Sequence, residues 1–176
     1  MSPMKKGYIQ VYTGDGKGKT TAALGLALRA LGAGLRVYLI QFMKKRRYSE
    51  LEALARFAPD VEILQTGRRK CIRKEEVTDA DRIQSRIALN RAREVLTGAQ
   101  WDVLILDEIL VAHWFGLVAL DEILELMGIK PAAVELVLTG RRAPTEVIAR
   151  ADLVTEMREI KHYYTVGVAA RKGIES

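Results

Sequence analysis

Apolar and polar positions follow two alternating rhythms along this chain. Short apolar runs predict strands at Tyr8 to Tyr12, Leu35 to Phe42, Val61 to Gln65, Val103 to Leu106, Leu136 to Thr139 and Leu153 to Met157. Between them, wider spacings predict helices. One runs from Thr20 to Leu31, with Leu24, Leu28 and Leu31 on one face, and Gly32 and Gly34 able to end it. A short one covers Ser49 to Phe57. A long one is capped by Thr78, with Asp81 three residues on completing a box-like pair; it runs to about Leu96 with Ile83, Ile87, Ala88, Val95 and Leu96 inward. Leu120 to Met127 forms another, ended by Gly128, and Pro144 suits the first turn of a last helix reaching Arg150. The tail from His162 onward shows no clear rhythm.

Strand and helix alternate throughout, with no long linker or internal repeat. Parallel strands need helical crossovers, so the expected fold is α/β: a doubly wound, mostly parallel sheet with helices on both faces. The run Val103 to Leu106 suits a strand buried on both sides, and Leu153 to Met157 reads as a last central strand. Ligands of such sheets bind beyond the carboxyl ends of the strands. Polar groups gather at those ends: Gly14 to Thr20, Gln41, Asp107, Glu108, Thr139 to Arg141, and Glu156.

Length adds that residues 1–176 are expected to form one domain. No apolar stretch approaches the roughly 20 residues of a membrane span. The N-terminus lacks an apolar segment of signal-peptide length, so a cytoplasmic location is expected. A single cysteine, Cys71, excludes an intramolecular disulfide and a multi-cysteine metal site. Its basic surroundings could lower its pKa, but nothing else supports a nucleophile there. Net charge is +6, with much of the excess in Lys44-Lys45-Arg46-Arg47 and in Arg68-Arg69-Lys70 with Arg73-Lys74. Such clusters attract phosphates, nucleic acid or an anionic cofactor, or else are solvated loops.

The chemistry is densest at Thr13-Gly14-Asp15-Gly16-Lys17-Gly18-Lys19-Thr20-Thr21, between the first strand and the first helix. A glycine-rich turn converges backbone N–H groups, and the helix N-terminus adds partial positive charge. Lys19 adds a mobile full charge, and Thr20 offers a hydroxyl to Mg²⁺. The strict phosphate-loop pattern has Gly where Thr13 stands. The strand-before, helix-after setting is that of a P-loop, RecA-like nucleotide-binding fold. Asp107-Glu108 ends a buried strand, where P-loop proteins place a magnesium-organising acid; without such a loop the pair would read as solvated. His113 reads as a surface or groove residue. His162, in Lys161-His162-Tyr163-Tyr164, could line a flat ligand or pack locally. No Ser/His/Asp arrangement emerges.

These stretches together resemble the P-loop-type ATP:corrinoid adenosyltransferases. The resemblance is carried by Thr13 to Ala23, by Val37 to Lys44 around Gln41-Phe42, and by Leu106-Asp107-Glu108-Ile109. It is strongest in Val137-Leu138-Thr139-Gly140-Arg141, Ala151 to Arg158 with Thr155-Glu156-Met157-Arg158, Lys161-His162 and Gly173-Ile174-Glu175. Thr13 is a departure that this family shares.

The resemblance implies transfer of the 5′-deoxyadenosyl group of ATP to Co(I) of a reduced corrinoid, with triphosphate released. ATP is a co-substrate, and Mg²⁺ accompanies it. The resemblance further implies that a reductase or flavoprotein supplies Co(I) and that the protein is a homodimer. By position, Thr13, Gly14, Asp15, Gly16, Lys17, Gly18, Lys19, Thr20 and Thr21 would cradle the triphosphate. Gln41, Arg141 and Glu156 would lie near nucleotide or corrinoid. Thr20, Glu108 and Asp107 would form the Mg²⁺ site, and Lys19, Thr20 and Glu108 the catalytic set. The two basic clusters would border the same mouth. Because Co(I) is itself a strong nucleophile, the missing triad is expected.

Three departures stand out. Arg68-Arg69-Lys70-Cys71-Ile72 carries no aromatic where the family often places them, below the corrinoid. Leu110 replaces a commonly polar residue. The segment before Tyr8 is too short for the covering helix of some relatives. The main rival reading is a nucleic-acid-stimulated RecA-like ATPase. A nucleotide-binding module without turnover is a third.

Overall fold

A computed structural model describes residues 4–46, 48–70 and 72–175. Arg47 and Cys71, named above for charge and reactivity, lie outside the described residues.

Helices cover both faces of one sheet, the first two on one face and the last four on the other. Its elements are β1 (Ile9–Thr13), α1 (Lys19–Gly32), β2 (Val37–Gln41), α2 (Ser49–Leu54), β3 (Val61–Gln65), α3 (Asp79–Thr97), β4 (Val103–Asp107), α4 (Ile109–Trp114), α5 (Leu120–Ile129), β5 (Glu135–Thr139), α6 (Thr145–Arg150) and β6 (Leu153–Glu156). The strand order is β3-β2-β4-β5-β1-β6, and every pairing among the described residues is parallel. All six carboxyl ends therefore open on one rim. There β5 separates the strand feeding the glycine-rich turn from the strand ending in Asp107.

Because side chains alternate along a strand, each strand feeds both faces. Val37, Leu39, Val103, Ile105 and Val137 pack under α1, while Tyr38, Ile40, Leu104, Leu106, Leu136 and Leu138 pack under α3, α4 and α5. These doubly buried strands are the apolar runs of the sequence.

Helix α1 buries its alanine stripe, Ala23, Ala27 and Ala30, with Leu31; Leu28 is 53% exposed. Short side chains let this helix lie close to the sheet. Two expectations need correction. Helix α3 buries Asp81, Ser85, Ala88, Leu89, Ala92, Val95 and Leu96, and leaves Ile83 and Ile87 exposed. Its phase is set at the N-terminus. Thr78 N donates to Asp81 (2.8 Å), as does Arg68 Nε (2.7 Å), which draws Asp81 inward. Residues at positions 83 and 87 then fall on the opposite side. Finally, β6 is an edge strand, hydrogen-bonded to β1 alone and exposed along its length, rather than a central strand. Among smaller differences, α5 runs through Gly128 to Ile129, and the tail forms one short 3₁₀ turn, Tyr163–Val166.

Candidate active site

The turn after β1 rests on the segment that follows β6. Gly16 N donates to Met157 O (2.7 Å), and Met157 N donates to Thr13 O (2.8 Å). Gly14 has φ +93°, and a Cβ there would lie 2.4 Å from Met157 O. Glycine is thus required by contact with the Thr155–Arg158 block as well as by backbone angle. Thr13 is buried, and its hydroxyl accepts from Ala143 N (3.3 Å), linking the start of the loop to the β5–α6 connection.

Within the loop, Lys19 folds back. Its Nζ donates to Gly14 O (2.6 Å) and Gly16 O (2.7 Å). Burial lowers its pKa, partly offset by Glu108. An ammonium held by two loop carbonyls is ready to be exchanged onto an anion that lies in the same turn.

Asp107, at the end of β4, has no exposed surface. Four side chains converge on it. Thr20 (2.8 Å) and Thr139 (2.7 Å) donate hydroxyls to Oδ1; Gln41 Nε2 (3.0 Å) and Lys44 Nζ (2.7 Å) donate to Oδ2. The sheet explains this convergence: Gln41 is the β2 partner of Asp107 in the ladder, and Thr139 closes the intervening β5. Gln65 Nε2 in turn holds Gln41 Oε1 (2.9 Å). Glu108 follows in a left-handed conformation, φ 63°, fixed by donation from its N–H to Thr139 Oγ1 (2.9 Å). Its side chain is only a quarter exposed and lines the cavity above.

Burial raises the Glu108 pKa, and the neighbouring Asp107 charge adds to it; Lys44, 4.0 Å away, offsets only part. Burial also works against the charged Lys44, but Asp107 and Glu108 outweigh it and hold its pKa up.

A cavity of about 860 Å³ opens above this rim. That volume is at the upper end for small-molecule sites, roughly 300–1,000 Å³. Of the residues expected from sequence, Asp15, Gly16, Lys17, Gly18, Lys19, Thr20, Thr21, Glu108 and Arg141 line it. Arg141 faces Asp15 across 3.8 Å. Asp107 and Gln41 lie buried beneath the floor. Thr13 and Gly14 support the turn from behind, and Glu156 stands exposed beside Gly14, so these three are not part of the wall.

Sequence reasoning counted Thr139 among the strand-end polar groups and Lys44 in a basic cluster bordering the mouth, but did not bring either to Asp107. It also missed the apolar wall of Leu24, Leu28, Leu54 and Phe57. The recurrence at positions 20, 24 and 28 of α1 was its available signal, one helical face continuing from the loop. His162, Ile174 and Glu175 of the tail close the far side, and Lys17 Nζ reaches Ile174 O (3.3 Å). His113 is not on this wall; its Nδ1 meets Val118 O (2.9 Å).

The basic clusters divide. Lys44 belongs to the cavity, whereas Arg68 is fastened to Asp81 and Thr78. Leu110 is fully buried, and a Cβ at Gly140 would lie 2.8 Å from its Cβ. That position is part of the core here, which accounts for an apolar residue.

The sequence model of the ATP:corrinoid adenosyltransferase BtuR/CobO/CobP family matches residues 5–176. The chain belongs to the ATP:corrinoid adenosyltransferase family. It is 32% identical to the corrinoid adenosyltransferase of Pseudomonas aeruginosa over 171 residues, covering 97% of this chain and 84% of the relative. With the corrinoid adenosyltransferase of Escherichia coli it shares 31% over 172 residues, covering 97% and 86%. A Nostoc protein named as uncharacterized is 36% identical over 169 residues, 89% of this chain; the chain spans only 45% of that relative's length. Among solved structures, the flagellar accessory protein FlaH of Methanocaldococcus jannaschii superposes with a TM-score of 0.58 at 14% identity, over 87% of this chain and 72% of FlaH. That likeness concerns fold alone, an α/β architecture with helices on both faces of the sheet. In this adenosyltransferase family member, the family blocks and the cavity coincide. Thr139 holds both acids, Arg141 lines the wall, and Met157 carries the glycine turn.

Proposed function

We propose that the protein transfers the 5′-deoxyadenosyl group of ATP to the Co(I) of a reduced corrinoid and releases triphosphate. One observation carries this reading: the Thr139-Gly140-Arg141 and Thr155-Glu156-Met157-Arg158 blocks, which a phosphate loop does not require, are built into the walls and supports of the loop.

The loop N–H groups from Gly14 to Thr21 and the α1 N-terminus cradle the triphosphate. Lys19 leaves the two loop carbonyls for the phosphate oxygens. Cobalt supplies an electron pair to C5′ as the C5′–O bond breaks, and that bond's pair departs on the triphosphate. The protein needs neither nucleophile nor base. It aligns C5′ with cobalt and stabilises charge on the leaving group. The wall of Leu24, Leu28 and Phe57 supplies apolar surface for adenosine, and Arg141 lines the cavity with it.

Mg²⁺ fits the residues present. Thr20 and Glu108 would hold it, with Asp107 beneath them ordering Thr20. The described residues contain no cluster of three or more acidic, histidine or cysteine ligands, so phosphate oxygens would complete the set. When bound, the ion neutralises charge on the triphosphate. No described helix is long and apolar enough to cross a membrane. The reading extends to one adenosyltransferase domain over residues 1–176, a cytoplasmic homodimer, and a separate reductase or flavoprotein that delivers Co(I).

The test is anaerobic incubation with ATP, Mg²⁺ and chemically reduced corrinoid, following the cobalt–carbon absorbance. Adenosylcorrinoid formation is expected. Orthophosphate release stimulated by DNA or RNA, without a cobalt–carbon product, would establish the ATPase instead. Nucleotide binding with no product would leave a module without turnover.

A further inference from the structure

The three groups assigned to Mg²⁺ already surround a cation. Lys44 Nζ lies 2.7 Å from Asp107 Oδ2, 3.4 Å from Thr20 Oγ1 and 4.0 Å from Glu108 Oε1. This ammonium is tethered only two residues past Phe42, whose N–H is fixed to Asp107 O (2.9 Å). Among the described members of its basic run, Lys44 alone lines the cavity.

We propose that Lys44 is a resident stand-in for the metal: its ammonium occupies the Thr20–Asp107–Glu108 position until nucleotide and Mg²⁺ displace it. The inference rests on the assignment of Thr20 and Glu108 to Mg²⁺ made above.

The physical reason lies in the acids. Asp107 is fully buried and Glu108 adjoins it, so two carboxylates share a site poor in water. Adjacent carboxylates repel one another, and a buried charge without a partner is costly. A tethered ammonium settles this while no nucleotide is present. It also raises the barrier for a bare metal ion, which must expel a cation that cannot diffuse away. ATP changes the balance. Its phosphate oxygens bring the missing metal ligands and give the displaced ammonium a new anionic partner within reach of its flexible stem. Lys44 is therefore a positioning residue that makes metal binding depend on nucleotide.

The probe is Mn²⁺ titrated into nucleotide-free protein and followed by electron paramagnetic resonance. Wild type is expected to bind the ion weakly without nucleotide. Lys44→Met should bind Mn²⁺ alone about tenfold more tightly or better. A second readout separates this from a merely structural role. Lys44→Met should melt below wild type in chelator and regain most of the loss in excess Mg²⁺, while wild type barely responds. Lys44→Gln keeps a neutral hydrogen bond to Asp107 and serves where the Met variant folds poorly. Folded variants that bind Mn²⁺ no better than wild type, or melt independently of Mg²⁺, would overturn the proposal. Wild-type adenosyl transfer is measured separately. If transfer occurs and the metal titrations fail, only the role of Lys44 falls. If transfer fails, the titrations still decide whether Lys44 guards a metal position.

Discussion

The two ends of the sheet use acids differently. At the amino ends, Asp102 accepts from Arg36 N (2.8 Å), Asp152 from Ile9 N (2.8 Å), and Glu135 from Tyr8 N (2.6 Å) and Gln10 Nε2. Most of these donors are backbone N–H groups at strand starts, which would otherwise lack partners. At the carboxyl end, Asp107 is satisfied wholly by side chains: two hydroxyls, an amide and an ammonium. A backbone donor cannot leave without moving the strand. A hydroxyl or an ammonium can rotate to a ligand. The same chemical group is therefore a staple at one end and part of an exchangeable network at the other.

Breaking the exchangeable end should have the largest effect. Lys19→Ala should lower the adenosyl-transfer rate by about a hundredfold or more with the fold retained. Turnover and near-ultraviolet circular dichroism measured together check it; near-normal turnover would remove the loop from the mechanism. Next, Asp107→Asn should abolish most turnover and destabilise by about 3 kcal/mol, because it leaves Lys44 only the more distant Glu108 as a charge partner and points an amide N–H₂ at other donors. Glu135→Gln should cost about 1–2 kcal/mol in urea unfolding while leaving kcat unchanged. If both variants lose turnover alike, the contrast between the two ends is wrong.

A smaller effect is expected at the apolar wall. Leu28 is largely exposed, so Leu28→Ser should leave the melting temperature nearly unchanged and raise KM for ATP by about three- to tenfold. An unaltered KM would place adenosine elsewhere.

The smallest concerns the staple that sets the phase of α3. Burial works against the Asp81 charge, but Arg68 and the Thr78 donors outweigh it and hold its pKa below the ordinary 3.8. A carboxylate with a depressed folded pKa contributes stability in full above its unfolded value and loses it as pH falls through the folded one. Asp81→Asn should therefore be less stable than wild type by about 1 kcal/mol near neutrality, and this gap should shrink below pH 3.8. A pH-independent gap would exclude the charge as its source.

Much of this was legible in the sequence because it depends on local order. The glycine turn, Thr20 and the Asp107-Glu108 pair are contiguous or sit at strand ends, and every predicted strand is present within a few residues. What depends on depth or neighbours was not. Alanine gives a weak hydrophobic signal, so the buried stripe of α1 does not stand out. The phase of α3 follows from an Arg68–Asp81 contact across a loop, which no periodicity reveals. The place of β6 follows from strand order, and an edge strand with Leu153 and Val154 reads like a central one. Lys44 looked like one member of a basic run; only the ladder that sets Gln41 beside Asp107 singles it out.

The account turns on which bond of ATP breaks. Phosphorus nuclear magnetic resonance of the anaerobic reaction with reduced corrinoid answers this directly. The account predicts intact triphosphate, formed in equal amount to adenosylcorrinoid. ADP and orthophosphate, with no cobalt–carbon product, would contradict it.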